Sequence, residues 1–194
     1  MKFTKQITFI LTLSLSISLA FSQSKETNAK IVDYYGIDFS LAKIQGAREL
    51  PYKFKQAYYG INYLILKEYP KYNIAKYLGK DEVVPNIEIV SVNNAAVDLD
   101  KIFIWKSKYE IADAQLDSLV KTYKIPASKN EIGVVIVGEL LSKELLLGTF
   151  RVVYFENATK IILSSKVISG KPSGAGVRNF WAGSLLNGLK DYKE

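Results

Sequence analysis

The sequence predicts an α+β domain: an antiparallel or mixed sheet with a C-terminal three-strand meander, packed against two or three helices. Three observations carry this prediction. Apolar residues recur at helical spacing in separate segments, β-type segments lie between them, and the last β-type segments follow one another through short connections. The resulting order of elements is β-α-β-β-α-β-β-β-α, which favours a sheet covered by helices.

The chain begins its folded part with a predicted strand and a long helix. Residues 31–41 alternate between apolar and polar positions, which is typical of a strand, and the apolar side consists of Ile31, Tyr35, Ile37, Phe39 and Leu41. Residues 51–69 have helical spacing of Phe54, Tyr58, Ile61 and Ile65. Pro70 ends this helix, because the residue before a proline is pushed out of helical geometry.

Two short strands and a second helix follow. Residues 87–92 and 101–105 are apolar runs that predict strands, and Asn93-Asn94 between them has turn chemistry. Asp113 is a suitable N-cap for a helix, in which the apolar side consists of Leu116, Leu119, Val120 and Tyr123.

The C-terminal third contains the predicted meander and a closing helix. Residues 134–137 form a continuous apolar run that is typical of a buried strand. Residues 148–155 and 160–168 predict a hairpin, and residues 179–192 predict a helix. Two glycines inside that helix each cost roughly 1 kcal/mol relative to alanine, so packing must hold it; they are Gly183 and Gly188.

Residues 1–22 have the three parts of a secretory signal peptide. Lys2 and Lys5 form a positive start, an apolar stretch follows, and small residues precede a cut after Ser22. The apolar stretch is shorter than the roughly 20 residues that span a bilayer. We therefore expect residues 23–194 to form a single globular domain, periplasmic or secreted, with no integral membrane span after cleavage.

The composition excludes several kinds of chemistry. The chain has no cysteine and no histidine, which excludes thiolate nucleophiles, cysteine-bound metals, lipidated cysteines and histidine-based acid/base catalysis. Asp98 and Asp100 lack the further oxygen ligands of a calcium loop. We predict no enzyme activity, no catalytic or metal-binding residues and no cofactor. We also predict no nucleic-acid partner, because basic residues do not form one cluster.

Two segments are candidates for ligand binding. A tyrosine-rich helix includes Tyr58 and Tyr59, whose alternative role is to pack on a core. A glycine-rich turn before the last helix presents backbone amides and one arginine to an anion. Its alternative role is a strand-to-helix connection capped by Asn179. The predicted ligand-binding residues are Ser173, Gly174, Gly176, Arg178, Asn179, Tyr58 and Tyr59.

Three motifs together resemble a group of uncharacterised small secreted bacterial proteins. They are Gly-Ala-Gly-Val-Arg-Asn-Phe-Trp-Ala-Gly-Ser at 174–184, Val-Val-Tyr-Phe-Glu-Asn-Ala-Thr-Lys at 152–160, and Tyr-Gly-Ile-Asp-Phe-Ser at 35–40. The group has no assigned activity, so the resemblance implies no catalytic residues. Residues 130–194 also resemble, in outline, the periplasmic domains of envelope-assembly lipoproteins of the curli-secretion and penicillin-binding-protein-activator type. Those proteins are lipidated on a cysteine that this chain lacks.

The functional hypothesis is a non-enzymatic periplasmic or secreted protein that binds an envelope or secreted partner protein. The alternative is a small-ligand carrier that uses the tyrosine-rich helix and the turn near Arg178. An enzyme built from Asp, Glu, Lys, Tyr and Ser is a third possibility. A binding protein predicts an exposed apolar patch, whereas a carrier or enzyme predicts a pocket with converging polar groups. The sequence leaves the oligomeric state open.

Overall fold

The structure is a computed structural model that describes residues 28–106 and 108–192, which form a seven-stranded sheet with helices on both faces. The signal peptide predicted at residues 1–22 lies outside the described residues. The strands are β1 (Ile31–Asp38), β2 (Lys43–Gln45), β3 (Glu82–Pro85), β4 (Phe103–Ile104), β5 (Ile132–Ser142), β6 (Leu147–Glu156) and β7 (Ile162–Gly170). The helices are α1 (Pro51–Lys67), α2 (Ile74–Tyr77), α3 (Glu88–Ala95), α4 (Asp113–Thr122) and α5 (Gly176–Lys190).

The predicted α+β class is wrong, because the fold is of the α/β type. Strand β5 pairs with β1 and β2, β1 pairs with β3, and β2 pairs with β4, and these four pairings are all parallel. Antiparallel pairing is confined to the meander of β5, β6 and β7 at one side. The described residues contain five α-helices rather than the two or three predicted.

One wrong element explains much of this error. Residues 87–92 were predicted as a strand but form most of α3, and β3 before them was not predicted. With that correction, α1 and α2 connect β1 and β2 to the parallel strand β3, and α3 connects β3 to β4. Such crossovers are the usual way to join parallel strands.

Strands β1 and β2 form one interrupted strand along the same edge of β5. β1 pairs with residues 133–137 of β5, and β2 pairs with residues 140–142. On its other side β1 pairs with β3, and β2 pairs with β4. The interruption is a turn in which the Ala42 amide donates to the Phe39 carbonyl over 3.0 Å.

A bulge in β1 decides which side chains face each helical layer. Gly36 has a φ of 90°, and the register with β5 shifts between Tyr34 and Ile37. Ile37 therefore packs in the core under α1 and α5, while Tyr35 packs in the core under α4. The prediction that these two residues share one side is wrong, because a bulge reverses the alternation.

Small residues let α5 lie close to the sheet. A Cβ atom at Gly183 would overlap the Ser173 carbonyl oxygen, and one at Gly188 would lie 3.1 Å from the carbonyl carbon of Ser169. The Ser184 hydroxyl donates to the Gly170 carbonyl over 2.6 Å. This packing is what the helix needs to offset the unfavourable helix propensity of its glycines.

None of the helices in residues 28–106 and 108–192 has the length and apolar character needed to cross a bilayer.

Candidate functional site

The outer side of α1 is a row of exposed tyrosines. Tyr52, Tyr59 and Tyr63 are seven and four residues apart, so they lie on one side of the helix. All three are exposed, Tyr59 to 67%. We call these three residues the tyrosine face. The charged residues of α1 are Lys53, Lys55 and Lys67, so the helix that carries the tyrosine face is positive.

Tyr58, the other predicted tyrosine, lies in the core. Its ring stacks on Phe39 with centroids 4.3 Å apart and planes 8° apart. Its hydroxyl is buried and has no hydrogen-bond partner among the described residues. Burial raises the pKa of Tyr58 well above its usual value, which keeps the hydroxyl neutral. One residue of difference along a helix rotates a side chain by about 100°, which explains why Tyr58 and Tyr59 have opposite environments.

The glycine-rich turn meets the C-terminal part of α1 in a small pocket of about 220 Å³. Four of the predicted ligand-binding residues line it: Ser173, Gly174, Arg178 and Asn179. From α1 and the turn after it come Leu64, Glu68, Lys71 and Tyr72. Tyr59 lines a different pocket of about 160 Å³ between α1 and α3. The structure therefore brings together the predicted residues of the turn and separates them from both tyrosines.

The side chains around the turn contact one another. Arg178 is exposed, and its Nε donates to Asn179 Oδ1 over 3.0 Å. The Arg178 stem crosses α1 at Gly60, where a Cβ atom would come within 2.8 Å of Cδ. Lys71 forms an ion pair with Glu68 at 3.5 Å. A glycine in α1 thus gives Arg178 its place beside the pocket.

The last helix begins one turn earlier than predicted. Its first residue is Gly176, and Ala175 is its N-cap, with no capping hydrogen bond from a side chain. The predicted N-cap, Asn179, lies inside the helix. Gly174 and Gly176 have φ values of 101° and 75°, a region that favours glycine. Gly176 has open space around it and does not line the pocket of the turn.

Asp38 is the centre of a buried polar cluster that the sequence did not reveal. Its Oδ2 accepts hydrogen bonds from the Tyr123 hydroxyl and Asn93 Nδ2, both over 3.0 Å. Its Oδ1 accepts one from the Ser40 amide over 2.8 Å. Burial and the nearby Asp38 charge raise the pKa of Tyr123 far above its usual value, so the hydroxyl remains a donor. The cluster ties α3 and α4 to the end of β1.

Asp33 is the centre of a second cluster, under the loop 126–130. Its Oδ1 accepts from Asn130 Nδ2 over 2.7 Å, and its Oδ2 accepts from Asn157 Nδ2 over 2.8 Å. The Tyr35 hydroxyl donates to Asn157 Oδ1 over 2.8 Å. Clefts of about 560 and 520 Å³ flank the loop. Because these polar groups bond to one another, the cluster fastens the loop to the sheet.

A sequence signal for both clusters exists in β1. Asp is disfavoured in strand interiors, and Asp33 and Asp38 both stand within an otherwise apolar strand. Acidic residues at such positions indicate buried, hydrogen-bonded carboxylates. Their partners come from distant parts of the chain, so the sequence does not identify them.

Comparisons with known proteins do not identify a family for this chain. No family model and no curated protein matches the chain. Among solved structures, the chain is similar to the hypothetical protein CT253 from Chlamydia trachomatis, with 10% sequence identity and a TM-score of 0.36. The match covers 84% of this chain and 90% of the other. A TM-score this low supports no assignment of fold or function.

Proposed function

We propose that the protein is a non-enzymatic periplasmic or secreted protein that binds an envelope protein through the tyrosine face of α1. The observation that carries this proposal is the exposure of Tyr52, Tyr59 and Tyr63 in one row on a helix whose other side is buried. A soluble helix usually presents charged and polar residues to water. Three large aromatic side chains in that position indicate a surface that a partner covers.

Tyrosine is well suited to such a surface. It supplies a large contact area with few rotatable bonds, and its hydroxyl forms hydrogen bonds at the rim, so it is enriched at interfaces. The lysines of α1 favour a partner with acidic groups around its binding site, because complementary charge increases the association rate and the specificity.

The buried carboxylates support a non-enzymatic role. Asp33 and Asp38 are bound by donors of the protein itself, as described above. Glu139 Oε1 accepts from the Ile111 amide over 2.7 Å and from Arg151 Nε over 3.0 Å. These acids stabilise loops and helices of the fold. A chain without histidine and cysteine would depend on such acids for catalysis.

A small-ligand carrier is the second candidate function. The observation that favours it is the convergence of Ser173, Gly174, Arg178 and Asn179 in one pocket. Its volume of about 220 Å³ lies below the roughly 300–1,000 Å³ of ordinary small-molecule sites. We therefore favour the tyrosine face.

Native mass spectrometry of the protein purified from the envelope fraction of its own host tests the proposal. We expect a complex with a second polypeptide for the unchanged protein. The double variant Tyr59→Ala/Tyr63→Ala should lose that polypeptide and keep its melting temperature, because both side chains are exposed. Tyr69→Ala is the matched control, since Tyr69 is an exposed tyrosine outside α1.

Two outcomes would contradict the proposal. Equal binding of the polypeptide by the Tyr59→Ala/Tyr63→Ala variant would exclude the tyrosine face as the binding surface. A small bound molecule in place of a polypeptide, lost in Arg178→Ala, would instead support the carrier.

A further inference from the structure

Three neighbouring parallel strands end at the same level of the sheet. Gln45 in β2 lies beside Ile104 in β4 on one side and beside Ser142 in β5 on the other. Adjacent strands are about 4.8 Å apart, so the segments that follow these strands emerge side by side. They are residues 46–50, residues 105–106 and the β5–β6 turn at residues 143–146.

These segments present large apolar side chains to solvent. Trp105 is fully exposed, and Leu50, Leu145 and Leu146 are roughly half exposed. Single exposed apolar residues are normal on a protein surface. Here four of them stand on three adjacent segments. We call Leu50, Trp105, Leu145 and Leu146 the sheet-end surface.

The backbone at Leu146 holds an exposed leucine at the tip of the β5–β6 turn. Leu146 has a φ of 49°, in the left-handed region that leucine rarely adopts. Glycine or asparagine usually occupies such a turn position. The tip of this hairpin therefore combines an unfavourable backbone conformation with an exposed leucine. Lys160 in the β6–β7 turn has a similar φ of 60°, so both hairpin turns of the meander share this conformation, and the exposed leucines are what distinguish the β5–β6 turn.

The sheet-end surface is attached firmly to the sheet. The Lys143 amide donates to the Gln45 carbonyl over 2.9 Å, and the Leu145 amide donates to Ser142 Oγ over 2.9 Å. The Lys143 ammonium forms an ion pair with the carboxylate of Glu49. These bonds join the loop after β2, which carries Leu50, to the β5–β6 turn, which carries Leu145 and Leu146.

The charge around the sheet-end surface is positive. The loops and helix starts at this end, residues 46–55, 105–110, 143–146 and 171–175, contain seven basic residues and three acidic ones. The basic residues are Arg48, Lys53, Lys55, Lys106, Lys108, Lys143 and Lys171. Two of them form ion pairs with acids at the same end, Lys143 with Glu49 and Lys108 with Glu110. Clusters of basic side chains beside apolar ones attract anionic lipid headgroups.

We propose that the sheet-end surface docks the protein on an anionic lipid surface. Trp105 and the leucines enter the headgroup region, and basic side chains such as Arg48, Lys106 and Lys171 pair with lipid phosphates. Tryptophan prefers this interfacial region of a membrane. The apolar side chains stand on three separate segments, and a fluid lipid layer adapts to such a surface. Apolar insertion and charge together supply the two signals that stable peripheral binding needs.

Vesicle binding by the purified protein tests this proposal directly. We expect the protein to sediment with vesicles of phosphatidylcholine that contain about one third phosphatidylglycerol and not with pure phosphatidylcholine. Binding should weaken as salt is added, because salt screens the charges. Trp181 is 1% exposed and Trp105 is fully exposed, so a blue shift of tryptophan emission on binding reports Trp105. Trp105→Phe should abolish that shift.

Variants with a matched control distinguish binding through the sheet-end surface from nonspecific adsorption to vesicles. Trp105→Ala should lower vesicle affinity about tenfold, the loss expected for one buried large apolar group. Leu145→Ala/Leu146→Ala removes two such groups and should lower the affinity more than tenfold. Ile161→Ala should not change it, because Ile161 is an equally exposed apolar residue in the β6–β7 turn at the opposite end of the sheet.

Absence of vesicle binding by the unchanged protein would overturn the proposal, and so would an equal loss in Ile161→Ala. Because the test contains no protein partner, its outcome does not depend on the function proposed above.

Discussion

Two asparagine side chains form hydrogen bonds with backbone groups at the end of β1. Asn62 accepts from the Ile37 amide over 2.7 Å, and Asn94 accepts from the Phe39 amide over 2.6 Å. Both side chains donate to the Ile37 carbonyl over 2.9 Å. Here the outer edge of the sheet is interrupted between β3 and β4, so no neighbouring strand pairs with these groups. The two side-chain amides supply the hydrogen bonds that a neighbouring strand would otherwise form.

We predict that Asn94→Ala lowers the free energy of unfolding by about 1–3 kcal/mol, because it leaves the buried Phe39 amide without a partner. The double variant Asn62→Ala/Asn94→Ala should lose more than the sum of the single variants. Each single variant leaves one donor on the Ile37 carbonyl, whereas the double variant removes both. Urea denaturation of the four proteins measures this coupling.

The control for this prediction is Asn187→Ala, which removes an exposed hydrogen bond to the Lys171 carbonyl. It should change stability by about 0.5 kcal/mol or less. Additive effects of the two buried asparagines would show that the Ile37 carbonyl does not couple them.

At the scale of elements, the close packing of α5 against the segment after β7 depends on glycine. The chain segment after β7 returns across α5, and the Ser173 carbonyl lies where a Cβ atom of Gly183 would be. The Ser173 amide also donates to the Phe180 carbonyl over 3.3 Å. The close approach fixes the glycine-rich turn on the helix that follows it.

We predict opposite effects for alanine at two helical glycines. Gly183→Ala should destabilise the protein by about 1–3 kcal/mol, because the added methyl group overlaps a backbone oxygen. Gly60→Ala in α1 meets only the flexible stem of Arg178, so its better helix propensity should stabilise by up to about 1 kcal/mol. Thermal unfolding of both variants gives the sign. A stabilising effect of Gly183→Ala would contradict the close packing of Gly183 against the Ser173 carbonyl.

The sequence predicts the elements that depend on local patterns. Helix α1 ends two residues before the predicted Tyr69, and β6 and β7 lie within two residues of their predicted positions, whereas β5 continues to Ser142, five residues beyond its predicted end. Residues 88–92 lie in a helix although the predicted strand 87–92 is rich in Ile and Val, because packing on β1 outweighs β propensity. The parallel order depends on contacts between distant segments, which no local pattern contains.

The same limit applies to the candidate site. The residues of the glycine-rich turn come together because they are neighbours in sequence. The sheet-end surface and the Asp33 and Asp38 clusters join segments that are about a hundred residues apart, so only the fold reveals them.

At the scale of the whole molecule, the ion pair between Glu49 and Lys143 makes the stability of the protein depend on pH. Burial by itself would raise the pKa of Glu49. Hydrogen bonds from Lys143 and from backbone amides lower this pKa by more than burial raises it, so the pKa lies below its usual value. A carboxyl whose pKa is lower in the folded state stabilises the protein above its unfolded pKa. That stabilisation is lost as the pH falls through the folded value.

We predict that Glu49→Gln lowers the free energy of unfolding by about 1 kcal/mol at neutral pH. The difference from the unchanged protein should shrink below about pH 4, where the carboxyl of the unfolded chain and then that of the folded chain becomes protonated. Melting temperatures of both proteins over this pH range are the measurement. Glu144→Gln, a change at the neighbouring exposed acid, is the control. A difference that stays constant down to pH 2 would contradict the ion pair with Lys143.

The position of β5 in the sheet has a consequence for the order of folding. Within the described residues, β5 joins the pair β1–β3 to the pair β2–β4, yet it begins at Ile132, roughly two thirds of the way along the chain. A chain that emerges N-terminus first therefore has two separate two-stranded pairs, which are not stable alone. The strand that joins the two pairs is made late, so we expect the sheet to assemble only once Ile132 and the residues that follow it are available.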